Sequence, residues 1–420
     1  MRLIRFRVQG FKNIADASVD NLAEINVFFG LNDVGKSNLF QAVELWQRLL
    51  STSQSPSFKQ PTSDFERRFG TNLSQLGGSR EIAVTVDVAL DQTDLTREGI
   101  EQRVSDNLDT RLKYLGKSTT QFTSKVEVEF KGTEVSIQSH TQWEGGGNFG
   151  LHPKDLASIV APFHVISAER RLQTEERSRE AFSASITHGN LKQALFYAYL
   201  SSDIRQKRRF AAITSLLSEP PFSLGELDVA LDPLNDQIDI GFIRSKGRLP
   251  IENLGAGARQ LLLVLGQVFL NEFPVIALEE PEMNLSPQRQ QELTIALRKL
   301  MRDPAVRLNQ LFISTHSPYF EFTENFYDVA LDELGNTQVR EALPQDHTGH
   351  FAVIPSGPDN GARLNSLNQV KLYNGVIEDL NLRRGDLIVF VRNDEGRWEI
   401  RTAGEVAQEL QISTSSKLAA

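Results

Sequence analysis

The chain has 420 residues, no cysteine and a formal net charge of −9, with 40% hydrophobic and 24% charged residues. That length suits two to three domains around a large core, and the composition is ordinary for a globular protein. The missing cysteines exclude disulfides, thiolate zinc sites and a thiol nucleophile, while the acidic balance argues against a protein that coats nucleic acid non-specifically.

At the amino end, Ile4, Phe6 and Val8 alternate with Arg5, Arg7 and Gln9, the period of a half-buried strand. The same segment lacks the apolar core of a secretory leader, and no stretch approaches about 18 uncharged apolar residues. A cytoplasmic location with no membrane span is therefore expected. Ile25, Val27, Phe28 and Phe29 form a short apolar run suited to a buried strand. Directly after it, Gly30-Leu31-Asn32-Asp33-Val34-Gly35-Lys36-Ser37, followed by Asn38, satisfies Gly-x-x-x-x-Gly-Lys-Ser/Thr at each fixed position. Leu39, Ala42, Val43, Trp46, Leu49 and Leu50 then recur at helical spacing, so a helix begins at the loop.

A strand feeding such a loop into a helix N-terminus aims backbone N–H groups and the positive end of the helix dipole at phosphates. Lys36 is placed to reach the β- and γ-phosphates and the Ser37 hydroxyl to coordinate Mg²⁺. A glycine turn with a chance lysine is the bland alternative; it explains neither the strand before nor the helix after. The sequence therefore points to a bound nucleoside triphosphate.

Residues 51–70, rich in Ser, Pro, Gln and Thr, read as a loop, and Ser74-Gln75-Leu76-Gly77-Gly78 as a turn. Ile82, Val84, Val86 and Val88 alternate strictly. Val126, Val128 and Phe130 do the same, and Thr133 to Ile137 is expected to pair with them across Lys131-Gly132. The first third thus reads as antiparallel strands around one parallel nucleotide-binding unit. His164 to Ser167 is strand-like and then abruptly charged through Glu169, Arg170 and Arg171. Residues 191–217 carry a helical period with no sustained heptad, and their basic cluster of Arg205, Lys207, Arg208 and Arg209 reads as a solvated helix face.

In the last third, Leu254-Gly255-Ala256-Gly257 opens into Leu261 to Leu270, apolar all round and hence a buried helix. Val275 to Leu278 is a short apolar strand ending in Glu279-Glu280-Pro281-Glu282, after which Pro287 lies in the first turn of a helix. Leu311 to Thr315 is a strand ending at His316-Ser317-Pro318. Three strand ends therefore present polar residues, as loops do at the carboxyl edge of an open α/β sheet.

These four motifs, in this order, resemble those of ABC-type ATPases. The phrase from Phe6 to Ile14, with its Gly10-Phe11-Lys12-Asn13-Ile14, and Leu278-Glu279-Glu280-Pro281-Glu282 resemble more narrowly the SMC/RecF/OLD branch of AAA-family ATPases. The resemblance covers about residues 1–340. It implies an α/β fold: a P-loop ATPase head with a mixed sheet, helices and an antiparallel β lobe, bearing a helical insert and a small C-terminal α+β extension. The corresponding divisions are 1–165 for the first lobe, 166–245 for the insert, 246–345 for the second lobe and 346–416 for the extension. Residues 417–420 look like vector-derived sequence.

By the resemblance, ATP and Mg²⁺ are the cofactors. Glu280 is the general base, His316 the switch residue at the γ-phosphate, and Glu279, with Ser37 and Gln75, serves the metal. Leu254, Gly255, Ala256 and Gly257 form the signature turn that closes the nucleotide of a second subunit. A homodimer or higher homo-oligomer is implied. Ala256 departs from the family's serine there, removing a hydroxyl to the γ-phosphate worth about 1.5–3 kcal/mol. Ser286 stands where the branch often has His.

OLD proteins join such a head to a Toprim nuclease, whose acid cluster includes Asp-x-Asp; residues 343–416 contain none. His347 and His350 lack a third ligand. A hairpin is expected from 387–392 and 397–401, and Leu382 to Asp386 before it resembles AbrB-like domains. The resemblance therefore implies an ATPase whose effector, a nuclease or toxin, is supplied in trans, as in bacterial anti-phage pairs. The alternative is a RecF/SMC-like DNA-binding ATPase of repair or recombination. A transporter's nucleotide-binding subunit is disfavoured by the long insert.

Overall fold

Two patterns of apolar residues, alternating and continuous, sort the strands of the larger part of the molecule into two kinds of sheet. The computed structural model describes residues 1–52, 55–71, 73, 81–91, 94, 102–115, 117–144, 153–160, 163–168, 170, 176, 186–271, 273–303, 306, 308–317, 320, 325–342, 388–392 and 398–402. The chain divides into two units, Met1–Leu343 and Pro344–Ala420.

Alternating segments build an antiparallel sheet with one face buried. Its strands are β1 (Arg2–Phe11), β2 (Ile14–Val19), β4 (Ser57–Pro61), β5 (Glu81–Asp91), β6 (Thr119–Lys131) and β7 (Glu134–Trp143). They lie in the order β2-β1-β5-β6-β7-β4. Val128 opposes Ile137 and Phe130 opposes Val135, as the hairpin reading expected. In β1 the register shifts between Leu3 and Arg5, so Leu3, not Ile4, joins Phe6 and Val8 on the buried face. An irregularity of this kind moves side chains across the sheet without leaving a trace in composition.

Continuous apolar runs build the centre of the second sheet, where three adjacent strands are buried on both faces. The sheet comprises β3 (Ile25–Phe29), β8 (Phe163–Ile166), β12 (Val275–Glu279), β13 (Gln310–Thr315), β14 (Asn325–Leu331) and β15 (Thr337–Glu341). The order is β15-β14-β3-β13-β12-β8, parallel throughout except for the edge strand β15. Helix α1 (Lys36–Thr52) runs between the two sheets and buries Leu39, Phe40, Val43, Trp46 and Leu50. Phe28 anchors the layer: its ring lies 5.3 Å from Phe40, edge-on, and stacks on Tyr327 at 5.0 Å and Phe312 at 6.2 Å. Aromatic pairs of this geometry contribute about 0.5–1.5 kcal/mol each beyond area burial and fix the strand that carries the loop.

Part of the expected loop over 51–70 is ordered instead. β4 adds to the sheet edge through Phe58 opposite Ile137, and helix α2 (Thr62–Phe69) buries Phe65 and Phe69. Two apolar residues four apart sufficed to dock this helix in a polar stretch. The expected insert is helical only in part. Helices α5 (Leu191–Leu200) and α6 (Ile204–Ser218), the latter capped by Asp203, are followed by the sheet of β9 (Glu226–Asp232), β10 (Gln237–Arg244) and β11 (Gly247–Pro250). Leu227 and Val229 of β9 and Ile238, Ile240 and Phe242 of β10 supply the alternation that makes it a sheet. Arg209, expected on a solvated face, is buried, whereas Arg205, Lys207 and Arg208 are exposed. Helix α7 (Ala256–Leu270) is buried from Gln260 to Leu270.

In the smaller unit, β16 (Ile388–Arg392) and β17 (Trp398–Thr402) pair antiparallel with Phe390 opposite Ile400, the expected hairpin. The segment with His347, His350 and Leu382 to Asp386 lies outside the described residues.

Candidate functional site

The residues singled out from the sequence converge where the parallel strands end. β3 runs into the Gly30–Ser37 loop, β12 into Glu279 and Glu280, β13 into Thr315 and His316, and β8 into Ala168 and Arg170. In a parallel sheet all of these ends lie on one edge.

The loop is pinned from several sides. Gly30 N–H donates to the Thr315 carbonyl at 3.2 Å, tying it to β13. The Thr337 hydroxyl donates to the Val34 carbonyl at 2.8 Å, and Asn38 Nδ2 donates to Asn13 Oδ1 at 2.8 Å. Asp33 and Gly35 take left-handed backbone, with φ of +65° and +97°. A Cβ on Gly35 would stand 2.1 Å from Thr337 Oγ1 and 2.8 Å from Asn13 Oδ1, so this position admits only glycine. Lys36 is buried and donates from Nζ to the carbonyls of Gly30 (2.8 Å) and Leu31 (2.7 Å). Burial pushes its ammonium below the ordinary lysine value, opposed by the carboxylates of Glu280, Glu282 and Asp33. Leu31 stands exposed.

The acids differ in their surroundings. Glu279 is buried; its Oε2 accepts from Ala168 N–H at 3.4 Å while its Oε1 has no partner among the described residues. Ser314, its register partner on β13, also has a buried hydroxyl with no partner. Glu280 follows with φ +40°, its N–H donating to the Ser314 carbonyl at 2.8 Å and its carboxylate more accessible. His316 Nδ1 lies 3.4 Å from Glu282 Oε1 and 3.9 Å from Glu280 Oε1.

Sequence reasoning left Glu282 without a role, yet it organises the turn. Its Oε1 accepts from the Thr315 hydroxyl at 2.6 Å and from His316 N–H at 3.0 Å, fixing the histidine's backbone. Arg170 was equally unassigned. It is buried, donates from Nη2 to the Glu279 carbonyl, and burial lowers its value to about 10 against the pull of Glu282, Glu279 and Glu280. Asn13 and Thr337 complete the residues missed. A run of charges was the only signal for Glu282 and Arg170, and it did not distinguish them from their neighbours.

The Gly30–Ser37 loop, Glu279, Glu280 and His316 are thus brought to one edge. Leu254 to Gly257 stand apart in character: Leu254 is buried, whereas Gly255 and Ala256 are exposed at the N-terminus of α7, which carries no side-chain cap. A Cβ on Gly255 would meet nothing within 4 Å, while one on Gly257 would meet the Asn284 carbonyl at 3.1 Å. Ser286 caps α8 (Pro287–Leu300). Gln75 lies outside the described residues.

The buried, unpartnered oxygens of Glu279 and Ser314 fit a hydrated divalent cation beside the phosphate loop. Among the described residues no group of three His, Asp or Glu side chains could hold a metal by itself. Mg²⁺ needs none, since it keeps several waters and takes one or two protein oxygens plus phosphates.

Comparison with known proteins adds the following. An uncharacterized protein of Methanocaldococcus jannaschii is 29% identical over 134 residues, 32% of this chain but 16% of that protein's own length. The SMC head domain from Thermotoga maritima aligns over 82% of this chain and 100% of its own, at 13% identity and a TM-score of 0.44. An SMC head bound to the C-winged helix domain of ScpA aligns over 81% and 98%, at 12% identity and a TM-score of 0.47. Likenesses of this degree bear on neither chemistry nor partners. No described helix is long and apolar enough to cross a membrane. Residues 102–320 match the family described as AAA ATPase domain. That stretch, just over half of the chain, includes Leu254 to Gly257, Glu279, Glu280 and His316, and so this chain belongs to the AAA ATPase domain family.

Proposed function

We propose that the chain binds ATP at Gly30–Ser37 and hydrolyses it. The observation that carries this reading is the meeting, at one sheet edge, of a pinned phosphate loop with a buried acid, an accessible acid and a histidine. Lys36, now spending two hydrogen bonds on loop carbonyls, is the group to be handed over to the β- and γ-phosphates. Ser37 and Glu279 would hold Mg²⁺, with Gln75 as a third contributor, and the ion would supply charge neutralisation for the phosphates. Glu280, at 24% side-chain exposure, takes the proton of the attacking water, and His316 meets the γ-phosphate. The two lobes at 1–165 and 246–345 around the insert belong to the same proposal.

The exposed, uncapped turn at Gly255 and Ala256 supports a shared site, in which two copies close over nucleotide and ATP acts as a ligand of the dimer. We assign the output to an effector in trans, in anti-phage defence, a reading supported by the resemblance of the head motifs. A second reading, DNA binding in repair or recombination, is favoured by exposed Arg205, Lys207 and Arg208 on α6 beside exposed Tyr197 and Tyr199 on α5, since basic and aromatic side chains together suit single strands. Phosphate release by the purified chain, with and without Mg²⁺, tests the first part. A chain that binds no ATP and releases no phosphate overturns it. DNA affinity falling steeply with salt would select the second output.

A further inference from the structure

Glu280 sits in a turn whose backbone is clamped from both neighbouring strands. β12 lies between β13 and β8. The peptide group joining Glu279 to Glu280 gives its N–H to the Ser314 carbonyl on the β13 side, at 2.8 Å. Its carbonyl accepts from Arg170 Nη2 on the β8 side. The paired register of β8 and β12 stops at Ile166 and Leu278, so the strand ladder no longer supplies a partner for that carbonyl, and a guanidinium takes the place. Immediately afterwards Glu280 turns through φ +40°, a conformation a non-glycine residue adopts only when its surroundings impose it.

Among the described residues Arg170 forms no direct ion pair. Although three glutamates surround it, its Nε and Nη1 have no hydrogen-bond partner among the described residues, and the bond it does make is to backbone. We infer that Arg170 is a positioning residue for the reaction: by holding the Glu279–Glu280 peptide it sets the direction in which the Glu280 carboxylate leaves the strand. The inference rests on the reading of Glu280 as the base.

The test uses the full chain with Arg170→Met, Arg170→Lys, Glu280→Gln and the double variant Arg170→Met/Glu280→Gln. Misplacing a catalytic group by about 1 Å costs on the order of 10²-fold. Arg170→Met should therefore lower kcat by about that factor while the ATP dissociation constant stays within about threefold. Arg170→Lys, which keeps one donor for the carbonyl, should recover part of the loss. In the double variant turnover should equal that of Glu280→Gln alone, because a residue acting through Glu280 has nothing left to position. Hydrogen exchange should speed up in the peptide containing Glu280 and nowhere on the β3 loop. Additive losses in the double variant, or unchanged kcat in Arg170→Met, overturn the inference. So does failure of both Arg170 variants to fold while Glu280→Gln stays stable, which would make Arg170 structural. If Glu280→Gln itself turns over at the parental rate, the base assignment has failed and the inference falls with it.

Discussion

Two glycine-rich turns among the described residues each open a helix, and they are built on opposite principles. At Gly30–Ser37 the backbone is fastened to β13 and, through Thr337, to β15, the Asn38 side chain just after it donates to Asn13, and a side chain at Gly35 has no room. At Leu254–Gly257 the helix N-terminus is uncapped, and Gly255 faces open space. Both offer backbone N–H groups and the positive end of a helix dipole to an anion. The first is a finished cradle whose rigidity is supplied from within the chain. The second is exposed at Gly255 and Ala256, which is what the proposed shared site requires.

Several substitutions would break or sharpen this contrast. The largest effect is expected for Glu280→Gln, which leaves both turns intact but removes the proposed base. Turnover should fall by about 10²–10⁴, with ATP still bound, as single-turnover kinetics would record. Glu279→Gln, in the buried position, should instead shift the Mg²⁺ dependence; identical Mg²⁺ titrations for the two variants would show that one role had been split in two.

Next comes Lys36→Ala. Losing two charge-assisted contacts of about 1.5–3 kcal/mol each should weaken ATP binding by on the order of 10² or more, measured by titration calorimetry. An unchanged dissociation constant would remove the loop from the site.

Ala256→Glu probes the open turn. Gly257 is the poorer choice because its Cα hydrogens already face the Asn284 carbonyl, so a side chain there would disturb the chain's own packing. A carboxylate at position 256 should leave ATP affinity nearly unchanged while repelling the phosphates of a second subunit. Mixing Ala256→Glu with Lys36→Ala protein should then restore up to one working site per heterodimer. Heterodimers that form without recovering activity would refute the shared site.

The smallest effects come from alanine at the two glycines. Gly35→Ala combines a left-handed φ with a contact of 2.1 Å and should destabilise by about 1–3 kcal/mol or more, seen as a lower melting temperature. Gly255→Ala, facing nothing within 4 Å, should change stability by no more than about 0.5 kcal/mol. Equal shifts would mean that the two turns are alike after all.

Secondary structure was legible where a local pattern carried the physics: β3 and α1 around Gly30–Ser37, α7, and β12 all lie where their periods put them. The phosphate loop, the all-round apolar α7 and the acid pair at the end of β12 each announce themselves within a dozen residues, because period, glycine and charge placement are local properties. The hairpin of β6 and β7 was legible for the same reason. What failed depended on distant partners. β4 exists because β7 offers an edge, α2 because Phe65 and Phe69 find a core, and Arg209 is buried although its neighbours Arg205, Lys207 and Arg208 are not.

The sequence by itself therefore determined that a strand, the Gly30–Ser37 loop and a helix follow one another, and which acids and which histidine stand at strand ends. Only the tertiary structure decided that Glu282 secures the His316 backbone, that Arg170 reaches the Glu279 carbonyl, and that Asn13 and Thr337 close on Gly35. Those contacts join the ends of different strands, and they arise from strand order in the sheet, which no local period encodes.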